Sequence, residues 1–130
     1  MAKRQVLTIP GVPHHSNPIP HGAKIGNMVY SSAISGADPE TGELPDDAEA
    51  QAWNTFKNIR LLMAEAGGTV DDIIKFSVSL RDEAARKYVN EAWLDMYPDD
   101  NDRPARHTQS AQINPRYFVQ IEVIAVLGET

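Results

Sequence analysis

Residues 74–80 read Ile-Lys-Phe-Ser-Val-Ser-Leu, an unbroken alternation of apolar and polar side chains. Only an extended strand sends Ile74, Phe76, Val78 and Leu80 to one side and Lys75, Ser77 and Ser79 to the other. A sheet built on this strand has an apolar face that something must cover. Two helical stretches qualify. From Asp46, with Glu49 three residues on as a capping pair, a helix is predicted to about Ala66, with Ala52, Phe56, Ile59, Met63 and Ala66 on one stripe. Gly67-Gly68 ends it. Asp82 caps a second helix, whose stripe is Ala85, Tyr88, Val89, Ala92, Trp93 and Met96, with Pro98 just past its end.

Four more strands are predicted, over residues 5–9, 28–34, 106–111 and 118–127. Between the first two, Pro13, Pro18 and Pro20 forbid a helix, so residues 11–22 form a loop. The turn chemistry of Asp38-Pro39-Glu40-Thr41-Gly42 follows. The order β-β-α-β-α-β-β over residues 1–130 predicts one α+β domain, two helices on one face of a mixed sheet. Its other face is polar at Ser77, Ser79, Gln120 and Glu122 but apolar at Ile124 and Val126. Packing against other copies of the chain explains such a half-polar face.

Absences narrow the chemistry. There is no cysteine, which removes thiol nucleophiles, disulfides, zinc ribbons and iron–sulfur ligation. The net charge of −6 argues against a nucleic-acid binder that works by neutralising phosphates. Lys3 and Arg4 precede an apolar run that is too short for a signal peptide and stops at Pro10. No stretch approaches the ~20 apolar residues of a membrane span, so the expected location is cytoplasmic. Glycine patterns match neither a phosphate-binding loop nor a dinucleotide fingerprint, and no serine sits in a G-x-S-x-G elbow. No nucleotide cofactor is implied.

Arg106 opens a strand after Arg103-Pro104-Ala105. Its planar fork suits a carboxylate, although on composition alone a plain surface arginine is the simpler reading. His14, His15, His21 and His107 are the side chains that titrate nearest neutrality. Adjacent His14 and His15 point to opposite sides of an extended segment, which weakens a shared metal site; loop histidines are the simpler reading, and no metal is expected. Residues alone name no reaction.

Several ordered segments together carry a resemblance. They are residues 26–32 (Gly-Asn-Met-Val-Tyr-Ser-Ser), 38–44, 49–52, 66–69, 71–75, Val89-Asn90, 103–106 (Arg-Pro-Ala-Arg) and 119–126 (Val-Gln-Ile-Glu-Val-Ile-Ala-Val). Over nearly its whole length the chain resembles the RidA (YjgF) imine/enamine deaminase family, part of which carries an older endoribonuclease label. The resemblance implies a chorismate-mutase-like fold and a homotrimer around a central barrel, with sites in clefts between subunits. The implied reaction is cofactor-free hydrolysis of a small 2-imino or enamino carboxylate to the 2-keto acid and ammonia.

The resemblance assigns residues unevenly. Arg106 matches the arginine that grips the substrate carboxylate, His107 takes the next position, and Ser32 matches a site-lining serine. Ile19 stands where the family loop has a tyrosine, and Ser32-Ala33-Ile34 replaces Ser-Gly-Gln. Gln120 replaces the glutamate held to position and deprotonate water; an amide orients water but cannot take its proton at neutral pH. Glu122 projects to the same face ~7 Å further along, and His15, His21 and His107 are candidate bases. These departures suggest a specialised paralogue. The alternative is a small-molecule-binding or regulatory protein that keeps the fold without turnover, and a ribonuclease comes third.

Overall fold

The computed structural model describes residues 3–14 and 16–128. Its strands are β1 (Gln5–Leu7), β2 (Gly22–Ile25), β3 (Met28–Ser31), β4 (Ile73–Leu80), β5 (Ala105–Ser110) and β6 (Val119–Val126). Its helices are α1 (Ala48–Ala66) and α2 (Arg86–Met96), with short 3₁₀ turns at Val70–Asp72 and Glu83–Ala85. The strands form one six-stranded sheet in the order β1-β2-β3-β6-β4-β5. Neighbours are antiparallel except β4 and β5, which run parallel. A parallel pair needs a crossover, and α2 supplies it.

The pattern predicts five strands, and the fold has a sixth, β2. Gly22-Ala23-Lys24-Ile25 is short and poor in β-branched residues, so its own propensity is weak. Position decides it: the two-residue loop Gly26-Asn27, with Gly26 at φ 60, folds it back on β3 as a hairpin. Lys24 then reaches across to α1 and donates to the Ala66 carbonyl at 2.8 Å. The predicted strand over 28–34 is shorter, ending at Ser31. Ile34 returns as an isolated bridge, exchanging two main-chain hydrogen bonds with Ile121. The cap of α1 is Asp47, whose carboxylate accepts from the Ala50 N–H at 3.1 Å, and not Asp46. Asp82 caps the turn leading into α2, accepting from Ala84. At the start of β4 a bulge between Ile73 and Lys75 buries Ile73 and leaves Ile74 half exposed, so the apolar alternation holds only from Phe76 onward.

Both helices cover the apolar face, where Phe76, Val78, Leu80, Val119, Ile121 and Val123 meet Phe56, Ile59, Leu62, Met63, Val89 and Trp93. Polar groups are buried among them. Gln51 of α1 has no exposed surface. Its amide nitrogen donates to the carbonyls of Pro45 (2.7 Å) and Arg116 (3.0 Å), and its oxygen accepts from the Phe118 N–H at 2.8 Å. One side chain thus ties the loop before α1 and the loop before β6 to the helix. Asn58 does the same for the chain after β3, donating to Ser35 and Ala37 carbonyls. Gly36 passes so close there that any Cβ would overlap the Gln51 carbonyl.

The opposite face is open. Register places Val6, Ala23, Tyr30, Ile124, Lys75 and Ala105 in one row across all six strands. Val6, Ile25, Met28 and Tyr30 are among the exposed large apolar residues. Towards β4, β5 and β6 the face turns polar, with Ser77 between His107 and Glu122, and Ser79 between Gln109 and Gln120. Among the described residues no helix is long and apolar enough to cross a membrane.

Replacing Gln51 by Met keeps the volume but strands one main-chain donor and two carbonyls. We expect a loss of about 3 kcal/mol or more of stability, measured by urea denaturation. A loss below about 1 kcal/mol would show that water takes over those partners.

Candidate functional site

The register of β4 and β5 pairs Phe76 with Arg106. Phe76 faces the helices, so Arg106 does too, at the outer edge of the sheet. Its guanidinium carbon lies 5.2 Å from the Trp93 ring centroid. Trp93 in turn meets Phe76 edge-on at 5.0 Å. Arg106 Nε donates to Thr108 Oγ1 at 2.7 Å. Among the described residues neither η nitrogen has a hydrogen-bond partner, and no carboxylate pairs with this arginine. Burial first, and then the charge of Arg86, push its pKa down. An arginine starts so high that it stays cationic at neutral pH.

Arg86 does not compete for the same ligand freely. It holds Glu83 through Nε–Oε1 at 2.9 Å and Nη2–Oε2 at 3.1 Å. Ser110 donates to the same Glu83 Oε2 at 2.7 Å. That bridge fastens the end of β5 to the start of α2. It also pairs the charge of the acid that bonds to Ser110 of the Arg106 strand.

Gln120 stands elsewhere. Its Cα partner is Ser79, so its side chain belongs to the open face, half-buried and without a hydrogen bond among the described residues. Glu122 faces Ser77 on that same side and is exposed. His107 also pairs with Ser77 and points the same way. Arg106 and Gln120 therefore lie on opposite faces of the sheet, with β4 between their strands. Within one chain the structure does not bring together the pair that the sequence assigns to one site.

The other candidates have definite places. Ser32 donates to the Pro20 carbonyl at 2.8 Å and, through its N–H, to His21 at 2.9 Å. It pins the proline loop to the end of β3. His21 Nδ1 accepts from the Ile9 N–H at 2.8 Å, and Nε2 lies 3.1 Å from the Pro13 carbonyl. The first bond requires a bare Nδ1, so the hydrogen sits on Nε2 and donates. Both ring nitrogens are engaged by main-chain groups, so His21 fastens the loop. His14 stacks on it at 5.3 Å. Ile19 is exposed, whereas Ile34 is buried in the core at 3% exposure and offers no surface of this chain to a ligand. His15 lies outside the described residues.

Two more residues complete the arginine's setting: Trp93, which the sequence places on the buried stripe of the second helix, and Thr108, which the sequence does not single out. Thr108 carries a signal in hindsight: i and i+2 of a strand share a face. Among the described residues no group of three or more His, Cys, Asp or Glu side chains could hold a metal ion. Two surface grooves, of about 130 Å³ between α1 and α2 beside Trp53 and about 270 Å³ beside Ile74 and Arg103, are lined by neither Arg106 nor Gln120.

The family model described as Endoribonuclease L-PSP matches residues 12–127. The chain is 30% identical over 124 residues to the Escherichia coli 2-iminobutanoate/2-iminopropanoate deaminase, covering 94% of this chain and 97% of the relative. It is 29% identical to the putative reactive intermediate deaminase TdcF of the same organism, over 95% and 97% of the two chains. Among solved structures, RidA from an Antarctic Psychrobacter superposes with a TM-score of 0.84 at 33% identity, over 95% of this chain and 99% of that one. E. coli TdcF with bound serine superposes with a TM-score of 0.85 at 28% identity, over 95% and 99%.

The Glu83 bridge makes a testable statement about pH. Hydrogen bonds from Arg86 and then Ser110 hold the Glu83 carboxyl below its ordinary 4.5. A lowered folded pKa stabilises the fold above the unfolded value and loses that effect as pH falls through the lowered one. Glu83→Gln is expected to reduce Tm at neutral pH, and the gap to wild type to close below pH 4.5, read by thermal melts across the acid range. A gap that persists unchanged into strong acid would show that the bridge contributes nothing through its charge.

Proposed function

The chain belongs to the Endoribonuclease L-PSP family, and from that premise we propose that it hydrolyses a small 2-imino or enamino carboxylate to the 2-keto acid and ammonia. The observation that carries this reading is Arg106: a half-buried cation over the Trp93 ring that, among the described residues, has no counter-ion and no hydrogen-bond partner at either η nitrogen. That arrangement suits a carboxylate taken in two parallel hydrogen bonds. The relatives' names, deaminases of 2-iminobutanoate, 2-iminopropanoate and reactive intermediates, supply the substrate class.

The reaction needs few groups from the protein. With the carboxylate held at Arg106, the adjacent C=N carbon is presented to water. Water adds to that carbon, the C–N bond breaks, and the nitrogen leaves as ammonia carrying the protons. Gln120 orients the water and takes no proton, which passes to the departing nitrogen. Ser32 and Ile19 hold the loop side of the cleft.

The proposed assembly is a homotrimer with its sites between subunits. Two observations support it. The open sheet face carries Val6, Ile25, Met28 and Tyr30 in contact with solvent. And Arg106 and Gln120 occupy opposite faces, so a site that uses both must take them from different copies. One observation favours a second reading, binding without turnover: an amide stands where the family has an acid. Gln120→Glu separates the two, because activity created where wild type has none means that wild type only binds. A ribonuclease ranks third, against a net charge of −6.

The test is competition for 2-iminobutanoate made in situ by an amino-acid oxidase and trapped with semicarbazide. Wild type should lower the semicarbazone yield, and Arg106→Ala should lose about 100-fold or more of that effect. Failure to outcompete the trap at any protein concentration overturns the deaminase reading.

Subunit sharing has its own experiment. Arg106→Ala and Gln120→Ala chains, each inactive alone, are mixed, unfolded and refolded together. If each site takes the arginine from one copy and the glutamine from another, about a quarter of the wild-type activity returns. No recovery would place both residues' work within one chain.

A further inference from the structure

We propose that Thr108 is the positioning residue of the anion site, holding Arg106 by its Nε so that a carboxylate is taken end-on by the two η nitrogens. This rests on the reading of Arg106 as the carboxylate grip.

A guanidinium offers a carboxylate two bidentate edges of different kind: the side edge of Nε with one Nη, and the end edge of the two Nη. The Nε–H of Arg106 is already engaged by Thr108 Oγ1 at 2.7 Å. The side edge is closed, and the end edge remains. The guanidinium carbon sits over the Trp93 ring, 5.2 Å from its centroid. A long side chain that normally samples many rotamers is thus held at Nε and against an aromatic ring before any ligand arrives. Less ordering is left for the binding step, which is how preorganisation raises affinity.

The partner's chemistry is telling. An arginine at a strand edge is most simply restrained by a carboxylate, and Glu83 bonds to Ser110 of the same strand. Glu83, however, is held by both Arg86 and Ser110. Arg106 is restrained by a neutral hydroxyl, which fixes its direction and leaves its charge uncompensated. Strand formation does not require that hydroxyl. Valine has the same shape and at least the same preference for a strand. As acceptor to Nε, Thr108 keeps its own hydroxyl hydrogen, which has no acceptor among the described residues.

The experiment compares Thr108→Val, Thr108→Ser and Arg106→Ala with wild type, using 2-oxobutanoate as the titrant in calorimetry. Turnover of 2-iminobutanoate and the Arg106 Nε–H resonance are measured beside it. Thr108→Val should weaken 2-oxobutanoate binding about tenfold and raise KM by a similar factor with kcat little changed. Thr108→Ser should stay within about twofold of wild type, because it keeps the acceptor. In the free protein the Nε–H signal should exchange with water faster in Thr108→Val than in wild type and Thr108→Ser. Thr108→Ala gives the same reading should the valine variant not fold.

The outcomes are separable. If Arg106→Ala binds 2-oxobutanoate as wild type does, the carboxylate reading fails, and this inference with it. If Arg106→Ala abolishes binding while Thr108→Val stays within about twofold, Thr108 does not position the arginine and the carboxylate reading stands. If Thr108→Ser is as weak as Thr108→Val, the hydroxyl is not the cause and the inference fails as well.

Discussion

Phe76 is fully buried, and rings from both helical segments lean on it: Phe56 stacked at 5.8 Å, Trp93 edge-on at 5.0 Å and Tyr97 edge-on at 5.9 Å. This cluster joins α1, α2 and β4, and aromatic burial of that size dominates the energetics of a small core. It also builds the floor under Arg106. Trp93 meets Phe76 at right angles and lies beneath the guanidinium of the next strand. Tyr97 anchors the far end by donating to the Val70 carbonyl at 2.7 Å, and burial, reinforced by Asp71, pushes its phenol well above the usual range. The packing that closes the core therefore positions the charge that faces outward.

The two faces of the sheet divide the labour. The helix face is sealed, and its polar members Gln51 and Asn58 serve loops that would otherwise leave main-chain groups stranded in the interior. The open face presents an apolar half on β1, β2 and β3 and a polar half on β4, β5 and β6. A domain of this size has little room to enclose a pocket by itself. Arg106 at a sheet edge and Gln120 on the opposite face fit the proposed site that several copies build together.

Much of the architecture was legible in the pattern of apolar residues. The alternations in β4 and β6, the two amphipathic helices and the Gly67 stop needed nothing but spacing. What escaped is instructive. β2 has too little intrinsic strand preference and exists because a Gly-Asn turn folds it onto β3. Ile34 reads as a continuation of β3, yet its main chain belongs to Ile121, 87 positions away in a bridge that no local rule anticipates. His21 looks like a titrating loop histidine, but both ring nitrogens are occupied by main-chain groups from residues 9 and 13. Gln51 looks like any helix glutamine, and only the arrival of the 116–118 segment makes it a hub.

The amino-acid sequence alone determined the α+β class, the helix-covered face and the family likeness, because these rest on periodicity and ordered motifs along the chain. It also pointed to Arg106 as the cation worth watching. Tertiary structure decided which side of the sheet each candidate occupies. Strand register, a matter of pairing between distant segments, sends Arg106 towards Trp93 and Gln120 away from it. The two-residue period of β5 puts Thr108 on the same face as Arg106, while helix packing supplies the aromatic floor beneath the guanidinium. A side chain's type is written in the chain, but its direction and its neighbours come from contacts that only the folded protein makes.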